Sequence, residues 1–517
     1  MNQENERHKE TTDDIALVKA RNLIEERDQQ IDEKNREIKS LSQKLNWFEE
    51  QFNLLKSKHY GKSSEKQLLN QTQLFDEDEE NVQNGQDDSG KETITYARKK
   101  PQRHPKNLDT SYLPREKQYL DLTDEEKQCA CGHGLEKFGE ESREEIRWQP
   151  ATLKVIEYIR PKYTCRHCET VKTAKAVELP LPKSKASASL IAEVMLNKYR
   201  FHLPFYRQSK MLAAYQLKVP DNTLAGWVMG GAEQLDPLMG ALWKQLTLTR
   251  ALQVDETPVK VLDPEKKGYM WLYHSYLPKQ RFVIFDFNLS RSASVVDERL
   301  KDYQGLLQTD GYSGYHTQRR RQDIVSLGCW DHARRKFADV VKAAGNNKSG
   351  KAGKMLEKIA KLYDIEKAIK ALPANERRAI RQQETKAKLA SIQSFLTKIN
   401  APPKSLLGVA VTYCKNQWDD LVRYVNYGEA QISNCWVENQ VRPFAVGKRN
   451  WLFVGNEASA KKAALIYSLI QSCELNNIDP RLYLEYVLSQ VHRMRRQEVD
   501  PSTLLPHTID PKLLKPG

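Results

Sequence analysis

Near the start of the chain apolar residues recur at every seventh position, at Leu17, Ile24, Ile31, Ile38, Leu45 and Phe52. Leu41, Phe48 and Leu55 fill the companion position in the second half. A seven-residue repeat with one narrow apolar seam among Glu, Gln, Lys and Arg predicts a long helix that pairs as a coiled coil. The earlier companions, Ala20, Arg27 and Lys34, are poor core residues, so the first half is expected to pair more loosely or with a different partner. A single amphipathic helix packed on the body is the competing reading, and the narrowness of the seam favours self-association. The segment Tyr60-Gly-Lys-Ser-Ser-Glu-Lys66 ends the helix, which sets a coiled coil at residues 1–68.

The apolar pattern then stops. Residues 69–110 are acidic first, with Asp76-Glu-Asp-Glu-Glu80, and then basic, with Ala97-Arg-Lys-Lys-Pro-Gln-Arg-His-Pro-Lys106. So few apolar residues cannot build a core, and a linker is expected whose basic half could follow a phosphate backbone. Helical spacing returns from Ala188 to Val228, interrupted at Leu203-Pro204 and Val219-Pro-Asp-Asn222. Two or three short helices, the last opening on Asp221-Asn-Thr, fit either a helix-turn-helix with Arg200, Arg207 and Lys210 on phosphates or a plain helical connector over 186–245.

Next comes alternation of the strand kind. Arg250-Ala-Leu-Gln-Val-Asp255-Glu-Thr-Pro258 reads as a short strand that Pro258 terminates, leaving Asp255 at its end. Gly268–Tyr276 and Arg281–Phe287, with Leu277-Pro-Lys-Gln280 between them, read as a hairpin, and Ser292–Leu300 as a helix. Gly305-Leu-Leu-Gln-Thr-Asp310-Gly-Tyr-Ser-Gly314 is a second strand that finishes on an aspartate in a turn. A long Lys- and Ala-rich helical stretch follows, including Met355–Ile369 and Asn375–Ile399, too long for a plain loop. Ile432-Ser-Asn-Cys-Trp-Val-Glu438-Asn-Gln-Val-Arg442-Pro443 reads as a short helix capped by Ser433 or Asn434 and ending near Pro443, with Glu438 on its face.

Asp255, Asp310 and Glu438 are enough carboxylates to hold two Mg²⁺ or Mn²⁺ ions roughly 3.5 to 4 Å apart, the arrangement used in phosphodiester cleavage and transfer. Singly, an Asp-Gly turn and a helical Glu are ordinary surface features. Their context gives them weight, because strand, hairpin, helix and strand, with carboxylates on the first and fourth strands, is the order of an α/β ribonuclease-H-like fold.

Composition sharpens the picture. Over 517 residues Lys and Arg number 82 against 68 Asp and Glu, a formal charge of +14 with pI near 9.1, as expected for a chain that meets a polyanion. No run approaches the roughly 18 apolar residues of a membrane span, and the charged N-terminus lacks a signal peptide's apolar core, so a cytosolic protein with no membrane partner is expected. Eight cysteines in such a chain favour metal binding over disulfides. Cys129-Ala-Cys131-Gly-His133 and Cys165-Arg-His167-Cys168 have the layout of a zinc ribbon, with Leu153–Tyr163 as the intervening strand. Cys129, Cys131, Cys165 and Cys168 are the expected Zn²⁺ ligands, and the tight first knuckle leaves His133 or His167 able to replace one thiolate. Cys329 with His332 is a second candidate metal or structural pair, whereas Cys414, Cys435 and Cys473 read as core thiols.

Val254-Asp-Glu-Thr-Pro258, Thr309-Asp-Gly-Tyr-Ser-Gly-Tyr315, Cys329-Trp-Asp-His-Ala-Arg-Arg-Lys-Phe337 and the run from Val437-Glu-Asn-Gln-Val-Arg-Pro443 to Gly447-Lys-Arg-Asn-Trp-Leu-Phe453 resemble, together, the bacterial transposases of insertion sequence family 66. The resemblance covers nearly all of the chain. It implies an acidic catalytic triad at Asp255, Asp310 and Glu438, a zinc-binding region at 111–185, and a catalytic domain split by a helical insertion. The expected bounds are 246–345 and 432–475 for the two catalytic parts, 346–431 for the insertion and 476–517 for a C-terminal tail. The chain departs from the family at Val437-Glu438-Asn439, where relatives often carry Ala-Glu-Arg. The implied partners are the element's terminal inverted repeats and target DNA, with accessory proteins of the same element.

Chemistry on a stiff polyanion needs cations beside the triad. Arg442, one turn beyond Glu438, and Lys448, Arg449 and Trp451 are the expected DNA contacts, with Arg334, Arg335 and Lys336 as a second basic face. Two further functions fit the same residues: a ribonuclease-H-like nuclease that cuts without joining, and a DNA-binding regulator descended from a transposase that no longer does chemistry.

Overall fold

The computed structural model describes residues 2–60, 153–160, 162–164, 171–173, 176–182, 184–263 and 265–514. The expected linker and the four expected zinc ligands, Cys129, Cys131, Cys165 and Cys168, lie outside the described residues, as do His133 and His167. The N-terminal periodicity appears as one helix, α1, Asn2–Tyr60. Two short strands, β1 (Lys162–Thr164) and β2 (Val171–Thr173), pair antiparallel, so the segment that joins them carries Cys165 and Cys168. Strand is confined there to 162–164, and Leu153–Arg160, expected as a strand, has no regular structure.

Four helices follow: α2 (Ala188–Tyr199), α3 (Phe205–Ala214), α4 (Asp221–Gln234) and α5 (Asp236–Leu248). The breaks fall at Leu203-Pro204 and Val219-Pro220, as the prolines require. Helix α4, the one read as entering a groove, buries Leu224, Val228 and Ala232 and exposes Asp221, Asn222, Gly226 and Glu233, an acidic face. It starts behind Pro220 without a side-chain cap bond. The neighbouring α3 buries only Gln208 and exposes Arg207 and Lys210.

The core is a mixed sheet of six strands: β3 (Ala251–Asp263), β4 (Lys266–Ser275), β5 (Phe282–Asn288), β6 (Gly305–Gln308), β7 (Ile324–Leu327) and β8 (Val454–Asn456). Five of them lie in the order β5-β4-β3-β6-β7, and β8 joins the far end of β3. The hairpin pairs are antiparallel, whereas β6 and β7 run parallel to β3, with α6 (Ala293–Arg299) in the crossover. Strand, hairpin, helix and strand therefore occur in the expected order.

One boundary differs. Strand β3 does not end at Asp255 but continues through Pro258, which pairs with Tyr269. Its partner β6 reaches only to Gln253 and β8 joins at Val261, so between them β3 has β4 on one side and an open edge on the other. A proline there interrupts no second ladder.

After β7 come α7 (Trp330–Ala343) and a helical insertion, α8 (Lys351–Ile369), α9 (Ala374–Ile380), α10 (Lys386–Thr397), α11 (Leu406–Asn416) and α12 (Trp418–Arg423). A single π-helical turn, Arg381–Thr385, joins α9 to α10. The chain then returns through α13 (Cys435–Trp451) and α14 (Glu457–Leu475). Helix α13 does not stop at Pro443. Phe444, just beyond it, packs its ring against Phe285, Trp451 and Tyr467, and Gly447 sits where a Cβ would meet the Tyr467 hydroxyl at 2.6 Å. That packing outweighs the one backbone bond a helical proline removes.

Helix α14 covers the edge strand β5 and satisfies its free amides. Val283 N–H donates to Ser472 Oγ at 3.0 Å and Phe285 N–H to Ser468 Oγ at 2.8 Å. Both serines are fully buried, so no water replaces them. Ser468→Ala is expected to lower unfolding stability by about 1–3 kcal/mol, the cost of one orphaned buried donor, measurable in urea titrations. Residues after 476, expected as a tail, instead form α15 (Pro480–Ser489) and α16 (Val491–Arg495), which bury Tyr483, Leu484, Val487 and Leu488 in the same core as α2 and α14. No described helix is long and apolar enough to cross a membrane.

Candidate active site

Asp255, Asp310 and Glu438 come from three elements that meet at one end of the parallel ladder. Asp255 stands on β3 two residues past its last pairing with β6, and Asp310 two residues past the end of β6. Gly311, with φ of +86°, allows the sharp turn in which Tyr312 N–H donates to Asp310 Oδ1 at 2.8 Å. Glu438 lies in the first turn of α13. Burial raises the Asp255 pKa well above the usual carboxylate range, and the Glu256, Glu438 and Asp310 carboxylates push it further in the same direction. Among the described residues no basic side chain is ion-paired with Asp255 or Asp310.

Glu438 is engaged. Its Oε2 accepts from Arg335 of α7, and its Oε1 lies 3.6 Å from His332 Nδ1. Burial lowers the His332 pKa, against the opposite pull of Glu438. Among the described residues Cys329, His332 and Glu438 form the group whose potential ligand atoms all lie within 4.8 Å of one another; the three acidic residues do not form such a group. The structure thus brings Asp255, Asp310 and Glu438 into one electrostatic cluster while Glu438 faces α7.

The cationic candidates divide. Arg335 is on Glu438, Arg334 reaches Asp331 at 3.3 Å, and Lys336 lies over the Tyr413 ring, whose hydroxyl donates to the Asp310 carbonyl at 2.8 Å. On α13, Arg442 and Arg449 are exposed, whereas Lys448 donates to the Pro258 carbonyl at 2.8 Å and burial lowers its pKa. Trp451 is half-buried against Phe444, with ring centroids 5.6 Å apart.

Several residues at this end were not singled out from sequence. Glu256, next to Asp255, accepts from Arg291 Nε at 2.8 Å and from the Tyr315 hydroxyl at 2.7 Å. Beneath the aspartates Gln253 and Gln308 pair in register and are fully buried. A glutamine stands two residues before each aspartate.

Acidic groups gathered at one end of a mixed sheet, within a basic chain, suit a protein that works on a nucleic-acid backbone. This chain belongs to the IS66 transposase family: residues 183–462 match the family described as "Transposase IS66 family". Residues 126–169 match the zinc-finger binding domain of transposase IS66, a span that contains all four expected zinc ligands, and residues 47–117 match "Transposase C of IS166 homeodomain". Two proteins of Sinorhizobium fredii are similar to it. "Uncharacterized protein y4jD" is 31% identical over 386 residues, covering 71% of this chain and 75% of that protein, and "Uncharacterized protein y4hP" is 29% identical over 425 residues, covering 77% and 75%.

Proposed function

We propose that this transposase cuts the ends of its mobile element and joins them to target DNA at a ribonuclease-H-like centre formed by Asp255, Asp310 and Glu438. The observation that carries the reading is the convergence of these three carboxylates at one sheet end, where Glu438 and Asp310 both raise the cost of charge on the buried Asp255. Carboxylates crowded without a basic partner suit hard divalent cations, and Asp255 and Asp310 fit that role. Bound there, Mg²⁺ or Mn²⁺, as a pair, supplies Lewis-acid activation of water or a DNA 3′-hydroxyl and stabilises the leaving oxygen.

The protein's own part is to bind and orient the polyanion. Arg442 and Arg449 present exposed charge along α13 beyond Glu438, and Arg207 and Lys210 do so on α3. A phosphate that engages Arg335 would release Glu438 from α7 toward the aspartates. Cys129, Cys131, Cys165 and Cys168 would hold structural Zn²⁺, a reading supported by the zinc-finger match that spans all four.

Helix α1 pairs with a second copy. Its lower half docks on the body by another edge: Glu50 Oε2 accepts the Leu406 N–H at 3.0 Å at the start of α11, and Leu54 is buried. The seam residues Ile24, Ile31, Ile38, Leu45 and Phe52 stay 56–66% exposed. Ile31→Lys with Ile38→Lys is expected to convert the assembly to monomers in sedimentation equilibrium while DNA binding by each monomer survives.

The test is incubation of the full chain with Mg²⁺ and labelled DNA carrying the flanking inverted repeats. Joined products are expected. Cleavage without joining would mark a nuclease, and Mg²⁺-independent binding with no products would mark a regulator.

A further inference from the structure

The two glutamines below the aspartates make a closed hydrogen-bond network. Gln253 Oε1 accepts the Val437 N–H at 3.1 Å, and Gln253 Nε2 donates to Gln308 Oε1 at 2.8 Å and to the Ser433 carbonyl at 2.9 Å. Gln308 Nε2 donates to the Gly328 and Gln431 carbonyls, each at 2.9 Å. The orientation of both amides is fixed by their partners, since the Val437 amide can only donate and the three carbonyls can only accept. Both side chains are fully buried, and every amide hydrogen is used.

The partners are the elements of the site. Gln253 and Gln308 face each other across the parallel ladder, and each precedes its aspartate by two residues. Val437 is the third residue of α13, so its N–H is among those a helix start leaves without an internal acceptor. Asn434, at the cap position, makes no side-chain cap bond, and its side-chain oxygen and nitrogen have no partner. Gln253 takes over that capping from another strand, one residue before Glu438. Gly328 lies directly before Cys329 and α7, which carries His332 and Arg335.

We infer that Gln253 and Gln308 are positioning residues that fix the spacing of Asp255, Asp310 and Glu438 for metal binding, an inference that rests on the triad proposed above. Because the bonds tie β3 and β6 to each other, to the segment 431–437 that opens α13 and to Gly328 before α7, loss of one glutamine frees the carboxylates relative to one another without removing any of them.

The experiment compares full-length wild type with Gln253→Met, Gln308→Met, Asp255→Asn and Ser468→Ala. It measures Mn²⁺ binding by electron paramagnetic resonance, the Mg²⁺ concentration for half-maximal joining, and the melting temperature. Each Gln→Met variant is expected to weaken Mn²⁺ binding about tenfold and to raise the Mg²⁺ requirement in step, the usual size of effect for groups that orient metal ligands. Ser468→Ala, which orphans the Phe285 amide two strands from Asp255 and outside the glutamine network, is expected to lower the melting temperature and leave Mn²⁺ affinity unchanged. Folded Gln→Met variants with wild-type Mn²⁺ affinity would overturn the inference. So would unfolding of both when Ser468→Ala stays folded, because the pair would then serve the fold alone. Mn²⁺ binding absent from wild type, or intact in Asp255→Asn, would overturn the triad reading itself, and the inference with it.

Discussion

Asp310→Asn is expected to reduce joining of inverted-repeat DNA by at least about a thousandfold, with DNA binding and melting temperature close to wild type. The substitution keeps size and hydrogen-bonding capacity, so the turn in which Asp310 Oδ1 accepts the Tyr312 N–H persists through the asparagine oxygen. What it removes is one negative charge from the cluster around Asp255. A thousandfold corresponds to about 4 kcal/mol of transition-state stabilisation, within what cation binding at a transferring phosphoryl group supplies. Asp255→Asn is expected to match it, and the double variant to be scarcely worse than either, because groups that hold the same ions act as a unit. A gel of labelled products against time for the three proteins reads the result.

The second large effect concerns stability. Arg381 is fully buried in the π-helical turn of the insertion. Its Nε and Nη2 donate to the two oxygens of Glu366 at 2.8 and 2.5 Å, and its Nη1 and Nη2 to the Tyr427 and Ala430 carbonyls at 2.6 and 3.0 Å. This one guanidinium ties α8 and the π turn to the segment that leads into α13. Arg381→Met would leave the Glu366 carboxylate buried without its partner, at a cost of about 3–5 kcal/mol. Arg381→Lys is not expected to restore the loss, since an ammonium cannot reproduce the planar fork that meets a carboxylate and two carbonyls together. Urea unfolding followed by tryptophan fluorescence measures both variants. A loss below about 1 kcal/mol for Arg381→Met would contradict the role assigned to the pair.

Local chemistry made much of this legible in the sequence. The heptad positions of α1, the hairpin around Leu277-Pro-Lys-Gln280 and the strand-ending turn at Asp310-Gly311 all follow from periodicity and turn residues, and the structure contains them. The sequence reading failed where tertiary packing overrides a local rule. Pro258 and Pro443 read as terminators, yet β3 has a free edge at Pro258 and α13 has Phe444 anchored in a ring cluster beyond Pro443. The reading of the C-terminal segment as a tail passed over Tyr483, Leu484, Val487 and Leu488, which recur at helical spacing behind an Asp479-Pro480 start and form the face that packs with α2 and α14. At the site, the settings of Asp255 and Asp310 at strand ends were legible, but the ion pair between Glu438 and Arg335 joins residues 103 positions apart, which no spacing rule reports. The glutamine pair was not legible, because the Gln-x-Asp spacing of 253/255 and 308/310 also occurs at Gln234-Leu-Asp236 and Gln417-Trp-Asp419, and only the parallel register of β3 and β6 brings two of these glutamines together.

Crystals of the full chain grown with Mn²⁺, examined by anomalous diffraction, address the metal centre directly. Manganese is expected between Asp255 and Asp310, with Glu438 turned from Arg335 to join them. Manganese bound only by Cys329, His332 and Glu438, or aspartates left empty at saturating Mn²⁺, would contradict the assignment of these three carboxylates as the catalytic centre.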